Sequence, residues 1–442
     1  MDVLLVSWDG GGNVPPMLAL GKRLVARGRR VCLLGPHTLA RRCEAAGLGF
    51  RPFAREMSWT ARAGVSIEDD MSSLSAHLTG PEMATELLDA AEEQRPRALV
   101  VDGMAAAAVA AAERLEIPTV VLVHTRYRYN EAAGWVPLVV PVNSARRQLG
   151  LEPLAEQPGW FAELWRRAGT VVVASYRQLE GERYETASHV RHVGPILDPH
   201  PAALPDEVAA IVQDRGGALI VVSLSSTYMH HEEELARIIR ALNQVDARSV
   251  VTLGNALDPA CVPAPDRGVV VPWAAHERLL PRADLVITHG GLGTILGALS
   301  AGAPLICMPL GREQPSNAAE VERIGAGVVV DRTASPSVIR RAVERVLARS
   351  SYRESARRLA REASELGCGE RAAAMVDALA CDERGPAMVD ALACDQRAAA
   401  MVDAPACDER GPAMVDALAC DELEPTSTGP RREARTLAAE RS

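Results

Sequence analysis

The chain has 442 residues, 48% of them hydrophobic, and a mean hydropathy near zero, which is too long for one ordinary core and predicts two domains with additions. A formal charge of −9 with no basic stripe excludes nucleic acid as a partner. No apolar run approaches the roughly 18 residues of a membrane span, and MDVLLVSWDGGG lacks a basic segment before its short apolar run, so a buried first strand in a cytoplasmic protein is expected rather than a secretion signal.

In chain order, DVLLVSW reads as a strand, PMLALGKRLVARG as a helix with apolar residues at helical spacing, and RVCLLG as the second strand. ALVVD, an alanine-rich helix from Met104 to Leu115 and the strand PTVVLV continue the alternation. The proline-dense run Gly194 to Pro201, followed by Pro205, reads as an interdomain connector. A second alternation begins at ALIVVSLSS, passes through a helix near Glu232 to Asn243, and reaches strand-like residues at Gly327 to Val330. This order argues for α/β architecture with parallel sheets, as two Rossmann-like, doubly wound domains facing a cleft. The expected boundaries are 1–200 for the first domain, 201–350 for the second and 351–369 for a closing helix, then 370–421 for repeats and 422–442 for a disordered tail.

Within the second half, the strand Leu285 to Thr288 breaks into His289-Gly290-Gly291-Leu292-Gly293-Thr294, and an apolar helix pattern follows at once. Glycines at such a turn let the backbone approach a ligand, and the new helix points free N–H groups and its positive dipole end outward. That arrangement suits a diphosphate, with His289 and Thr294 adding side-chain donors. Upstream, Trp273 can stack on a flat base; downstream, Glu313-Gln314 can bond a sugar.

From Glu370 a 13-residue unit repeats four times, ERAAAMVDALACD first. The repeats contribute −7 of the charge and leave residues 1–369 at only −2. Thirteen residues advance a helix by about 220° beyond whole turns, so successive cysteines share no face, and their spacing matches no zinc pattern. Gly385-Pro386, Pro405 and Gly411-Pro412 interrupt any long helix. A poorly ordered or short-helix appendage is expected, with a partner-binding role as the other reading.

The constellation around His289 resembles the donor site of the GT-B glycosyltransferases, in particular the UDP-glycosyltransferase-like enzymes that decorate antibiotics and other small aglycones. The family pattern of W-x-P-Q, HGGxGT, G-x-P and (D/E)Q-x-x-N appears here as Trp273-Ala274-Ala275-His276, His289 to Thr294, Gly302-Ala303-Pro304 and Glu313-Gln314-Pro315-Ser316-Asn317. The resemblance covers about residues 1 to 366. It implies an inverting transfer of a sugar from a nucleotide diphosphosugar to a small hydrophobic natural-product acceptor. It also implies a donor site of Ser225, Ser226, Trp273, Ala274, His289, Gly291, Gly293, Thr294, Glu313 and Gln314. No cofactor is expected beyond the nucleotide sugar as co-substrate, and no DxD-like motif suggests a metal. His276 stands at the family's Gln position, and Gly297 stands where many relatives carry a ribose-binding Glu, which favours a thymidine over a uridine donor.

The turn after the first strand departs from the family. Relatives often read G-H-x-x-P, with the His as general base; here Asn13 holds that position, and an amide cannot accept a proton near neutral pH. Asp102 is the first candidate for the missing base, with Asn13 positioning the acceptor, although an Asp there can simply cap the next helix. His124 is the second candidate and Asp9 a third. Of fifteen aromatic residues, twelve precede residue 185, among them Trp59, Trp135, Trp160, Trp165, Tyr127 and Tyr129; acceptor stacking and core filling both explain them. A nucleotide-sugar epimerase and a non-catalytic nucleotide-sugar binder or activator are the other functional readings.

Overall fold

The computed structural model describes residues 1–55, 67–198, 202–225, 229–254 and 257–381, without the side chains of residues 67–71 and 133. Trp59, Ser226, the last three repeat units and residues 422–442 lie outside the described residues.

Seven parallel strands form the first sheet: β1 (Val3–Val6), β2 (Val31–Gly35), β3 (Gly49–Pro52), β4 (Ala98–Asp102), β5 (Thr119–Val123), β6 (Thr170–Val173) and β7 (Val190–His192), in the order β3-β2-β1-β4-β5-β6-β7. The second sheet has six: β8 (Ala218–Ser223), β9 (Ala247–Thr252), β10 (Gly268–Val271), β11 (Leu285–Thr288), β12 (Leu305–Cys307) and β13 (Gly327–Val329), in the order β10-β9-β8-β11-β12-β13. Both are doubly wound, as the strand–helix alternation requires. The central strands are buried on both faces, and so they read as unbroken apolar runs such as VLLV and LVIT.

Register pairs Val3 with Val31 on one side and with Ala98 on the other, so β1, β2 and β4 end together. The carboxyl ends of β1, β4 and β5 therefore deliver the turn at Asn13, Asp102 and His124 to one rim. In the second lobe, Thr288 at the end of β11 pairs with Ser223 and Cys307, which puts His289 beside the loops that follow β8 and β12.

The first helix begins at Val14, ahead of the sequence expectation, because Pro15 and Pro16 fall in its first turn, where a missing N–H costs nothing. The alanine-rich helix runs from Ala106 to Leu115, with Ala106 to Ala112 fully buried. Small side chains let it lie close to its neighbours, and the helix Trp160–Ala168 fills the space beyond with Trp160, Phe161 and Trp165. These aromatics, with Tyr127, are core and not cleft wall: Trp160 is 2% exposed, Trp165 0% and Tyr127 4%. Trp135 and Tyr129 are half-buried and meet edge to face at 5.7 Å.

After the second lobe, the helix Ser350–Leu366 places Ala356 and Leu359 in that lobe's core. The helix Cys368–Ala380 then packs on Val14–Ala26 of the first lobe. It contains nearly all of the first repeat unit, burying Ala372, Ala373, Met375 and Val376 beside β1 and its helix, while Asp377 pairs with Arg29. The apolar residues of this unit thus make one buried helix face. Among the described residues, no helix is long and apolar enough to cross a membrane.

Stability should fall on acidification. His192, 6% exposed with Nε2 3.1 Å from Tyr184 Oη, is held down to about 4 by burial, from an ordinary 6.5. Between those values the unfolded chain takes up the proton first, so stability present above about pH 6.5 is lost as pH falls towards 4, at up to about 1.4 kcal/mol per pH unit for one such group. Melting curves at pH 7 and pH 5 should show a drop that His192→Gln reduces.

Candidate functional site

The first rim is one hydrogen-bond network. β1 runs into the turn Trp8 to Asn13, and Asn13 begins the helix Val14–Ala26 without capping it through its side chain. Asn13 Nδ2 instead donates to Trp8 O at 2.8 Å and Asp102 Oδ2 at 2.9 Å, while Oδ1 accepts from Gly10 N at 3.0 Å. An amide has two N–H donors, and both are spent on the protein. Asn13 is 2% exposed. It therefore holds the turn and Asp102 and has no donor left for an acceptor molecule, unlike the expectation that it positions one.

Asp102 ends β4 at 1% exposure, and Oδ1 accepts from Met104 N at 2.9 Å. That bond closes the turn ahead of the helix Ala106–Leu115, which has no side-chain cap, and both carboxylate oxygens are engaged. His124, just past the neighbouring strand β5, brings Nδ1 to 3.4 Å from Asp102 Oδ1 with its side chain 14% exposed. That nitrogen is buried and makes no hydrogen bond, to Asp102 or to any other group. Asp9 accepts from Thr38 Oγ1 at 2.7 Å in the turn, away from this network.

The second rim is built around β11. Gly290 takes φ +89, a left-handed turn that glycine adopts freely, and Gly291 precedes the helix Leu292–Ser300, whose first turn has no side-chain cap. A Cβ on Gly291 would lie 2.5 Å from His289 Nε2, so only glycine lets the imidazole fold over the helix mouth. Thr288 Oγ1 lies 3.4 Å from its Nδ1. Burial, then the charges of His231 and Arg312, push His289 down to about 3, against a main-chain hydrogen bond at Ser223. The imidazole is thereby neutral and lies beside uncapped helix N–H groups. Thr294 is half-buried in the same first turn, and Gly293 is exposed with open space at its Cα.

The remaining donor candidates divide. Trp273 presents its ring at 45% exposure, whereas Ala274 at 3% has its methyl in the core. His276 is half-buried, with Nε2 3.2 Å from Thr252 Oγ1. Ser225 is buried at 6% just past β8. Glu313 is half-buried, and its charge helps to raise the Tyr129 hydroxyl above its ordinary value, behind burial. Gln314 is different: at 2% exposure, its Oε1 accepts from Leu310 N at 2.8 Å and Gly311 N at 3.1 Å, and Nε2 reaches Met229 Sδ at 3.4 Å. It ties down its own loop, so the side chain expected to bond sugar hydroxyls is occupied.

Two residues near the cleft, His231 and Arg126, escaped the sequence reading, and a third, Tyr129, was read there only as an aromatic for stacking or core filling. His231 is 1% exposed with Nδ1 unpartnered, and it lies close enough to His289 to depress it. Tyr129 faces Glu313 from the opposite lobe. Arg126, buried at 4%, bonds the Ser316-Asn317 end of the donor motif. The available signal for Arg126 was a charged residue directly after a buried strand, in His124-Thr125-Arg126; for His231 it was a histidine pair in the loop after β8.

Comparison with known proteins agrees with this arrangement. Residues 152–364 match the family described as UDP-glucoronosyl and UDP-glucosyl transferase. The chain is 26% identical over 386 residues to 4'-demethylrebeccamycin synthase of Lentzea aerocolonigenes, covering 78% of this chain and 91% of that protein. Among solved structures, CalG4, the calicheamicin glycosyltransferase, superposes with a TM-score of 0.70 at 24% identity, covering 86% of this chain and 98% of CalG4. The glycosyltransferase VinC, solved in complex with dTDP, gives a TM-score of 0.64 at 17% identity, covering 86% of this chain and 99% of VinC.

Proposed function

We propose that this chain, a GT-B glycosyltransferase of the UDP-glycosyltransferase-like, antibiotic-tailoring family, moves a sugar from a nucleoside diphosphate to a small apolar aglycone, with inversion and without a metal. The observation that carries this reading is the His289 imidazole folded over Gly291 at an uncapped helix mouth. Preorganised donors of this kind receive the charge of a departing diphosphate. Trp273 stacks on the nucleobase, Thr294 and the first-turn N–H groups share the phosphates with His289, and Glu313 bonds the sugar.

The base is assigned to His124, with Asp102 as its orienting partner. Asp102 has both oxygens committed and is nearly inaccessible, whereas His124 holds an unbonded Nδ1 3.4 Å from that carboxylate, and its Nε2 serves the acceptor. In the reaction, Nε2 takes the acceptor's proton, the acceptor oxygen or nitrogen bonds the anomeric carbon, and the bond from that carbon to the diphosphate breaks on the opposite face. Asp102 stabilises the imidazolium that forms.

A thymidine donor is favoured over a uridine one. A side chain at Gly297 would come within 3.1 Å of buried Leu280, so an apolar group occupies the room of a ribose-binding carboxylate. VinC, of the same fold, was solved with dTDP. Incubation with dTDP- and UDP-sugars and a panel of planar aglycones, followed by mass spectrometry, should give a mono-glycosylated product, with dTDP donors used more efficiently and EDTA leaving the rate unchanged. Donor consumption without any acceptor, or nucleotide binding with no transfer, would overturn the assignment.

A further inference from the structure

The loop after β5 reaches across the cleft. Arg126 Nε donates to Asn317 Oδ1 at 2.9 Å, Nη2 donates to Ser316 Oγ, and Nη1 donates to Leu179 O at 2.7 Å. Glu320 Oε1 lies 3.8 Å from Nη1. Asn317, itself 1% exposed, passes the contact on: its Nδ2 donates to Gly290 O at 3.1 Å. One amide thus connects the guanidinium of the first lobe to the glycine that follows His289.

The chemistry of the two groups fixes the direction of this relay. A guanidinium has donors only, so Asn317 must offer it the carbonyl oxygen, which leaves the NH2 for the Gly290 carbonyl. Turning the amide over would break both bonds. With its carbonyl held inward, the Gly290–Gly291 backbone keeps the geometry that points the helix mouth outward.

The other end of the relay is equally constrained. Asn130 Nδ2 donates to Arg126 O at 2.9 Å and to Thr125 Oγ1 at 2.8 Å, and Glu180 accepts from the Tyr127 and Arg128 N–H groups at 2.8 and 2.9 Å. His124 lies two residues before Arg126, on this pinned segment.

We infer that Arg126 is a positioning residue that, acting from the acceptor lobe through Asn317, sets the glycine turn that receives the donor's diphosphate and fixes its register against His124. This rests on the donor-site reading above, and it adds Arg126, which lies outside the donor motifs, as a link between the two lobes.

The test uses the full chain, calorimetry with dTDP and steady-state kinetics. Arg126→Met keeps the length of the stem and removes every bond; Asn317→Ala removes the relay and is the second variant should the first not fold. Each should raise the dissociation constant for dTDP and the donor KM by about tenfold or more, since each loses buried hydrogen bonds. Acceptor KM should stay within about twofold. The double variant should be no worse than the more damaging single one, because the two residues act as one unit. Arg126→Lys, which keeps a charge without the fork, should recover only part of the loss. Equal dTDP affinity for wild type and both single variants, or effects that simply add, would overturn the relay while sparing the donor site. A wild-type chain that binds neither dTDP nor UDP would instead remove the donor-site reading and this inference with it.

Discussion

Replacing His124 with alanine should lower turnover by about 10²- to 10⁴-fold, the range that a positioned general base contributes, while dTDP affinity changes little. The expectation comes from how the first rim divides its labour. Asn13 replaces a histidine that relatives use as base, yet its side chain still reaches Asp102, at 2.9 Å. The carboxylate that would orient that histidine keeps its place on β4. Its Oδ1, which also accepts from Met104 N, lies 3.4 Å from the imidazole just past the adjacent strand. Moving the imidazole from the turn after β1 to the end of β5 keeps a His–Asp pair in the cleft with one strand exchanged.

Asp102→Asn should also reduce turnover, because an amide cannot stabilise an imidazolium and its NH2 would meet the donors at Asn13 and Met104. Added imidazole separates the two cases: it should restore part of the rate to His124→Ala and little to Asp102→Asn. Near-wild-type turnover in His124→Ala, with Asp102→Asn still inactive, would return the base to Asp102.

The parts of the molecule that were readable in advance are those where local chemistry and tertiary context agree. VLLV, ALVVD and LVIT are buried on both faces, so their apolar runs announce central strands. The His289 turn was legible because glycines, a strand end and a helix start coincide within a few residues. Edge strands were not: Gly49–Pro52 is half-exposed with a proline, and Val190–His192 is three residues long with a charge in the middle. Neither has room for a pattern.

Side-chain roles were harder still, because they depend on neighbours far away in sequence. Gln314 looks like a sugar ligand until Leu310 and Gly311 are seen to take its oxygen. Asp102, His124 and Asn13 were each legible as candidates, but their ranking turns on which atoms are already bonded. Trp160 and Trp165 could have faced a ligand; burial makes them core. The first repeat unit gave no local sign of docking, since the face it buries is completed by the helix Val14–Ala26, more than 340 residues earlier — Arg29 and Asp377 close that contact.

Loss of the His289 imidazole should weaken dTDP binding by about 10- to 100-fold, the effect of a charge-assisted hydrogen bond of about 1.5–3 kcal/mol, and should also abolish a proton linkage. His289 is neutral, pushed down to about 3 by burial and by the charges of His231 and Arg312. Thr288 Oγ1 lies 3.4 Å from Nδ1, and Nε2 lies over Gly291 at the helix mouth. A diphosphate arriving at Nε2 supplies negative charge, so it raises the ring's proton affinity and draws a proton onto it. The bound enzyme then carries more protons than the free enzyme. Affinity for dTDP should therefore rise as pH falls from 8 to 6, and calorimetry in buffers of different ionisation enthalpy should show proton uptake on binding. In His289→Ala the pH slope and the uptake should both disappear, while His231, whose Nδ1 is unpartnered, remains. An alanine variant that binds dTDP as tightly as wild type, with the same pH slope, would show that the helix mouth holds the phosphates without this side chain.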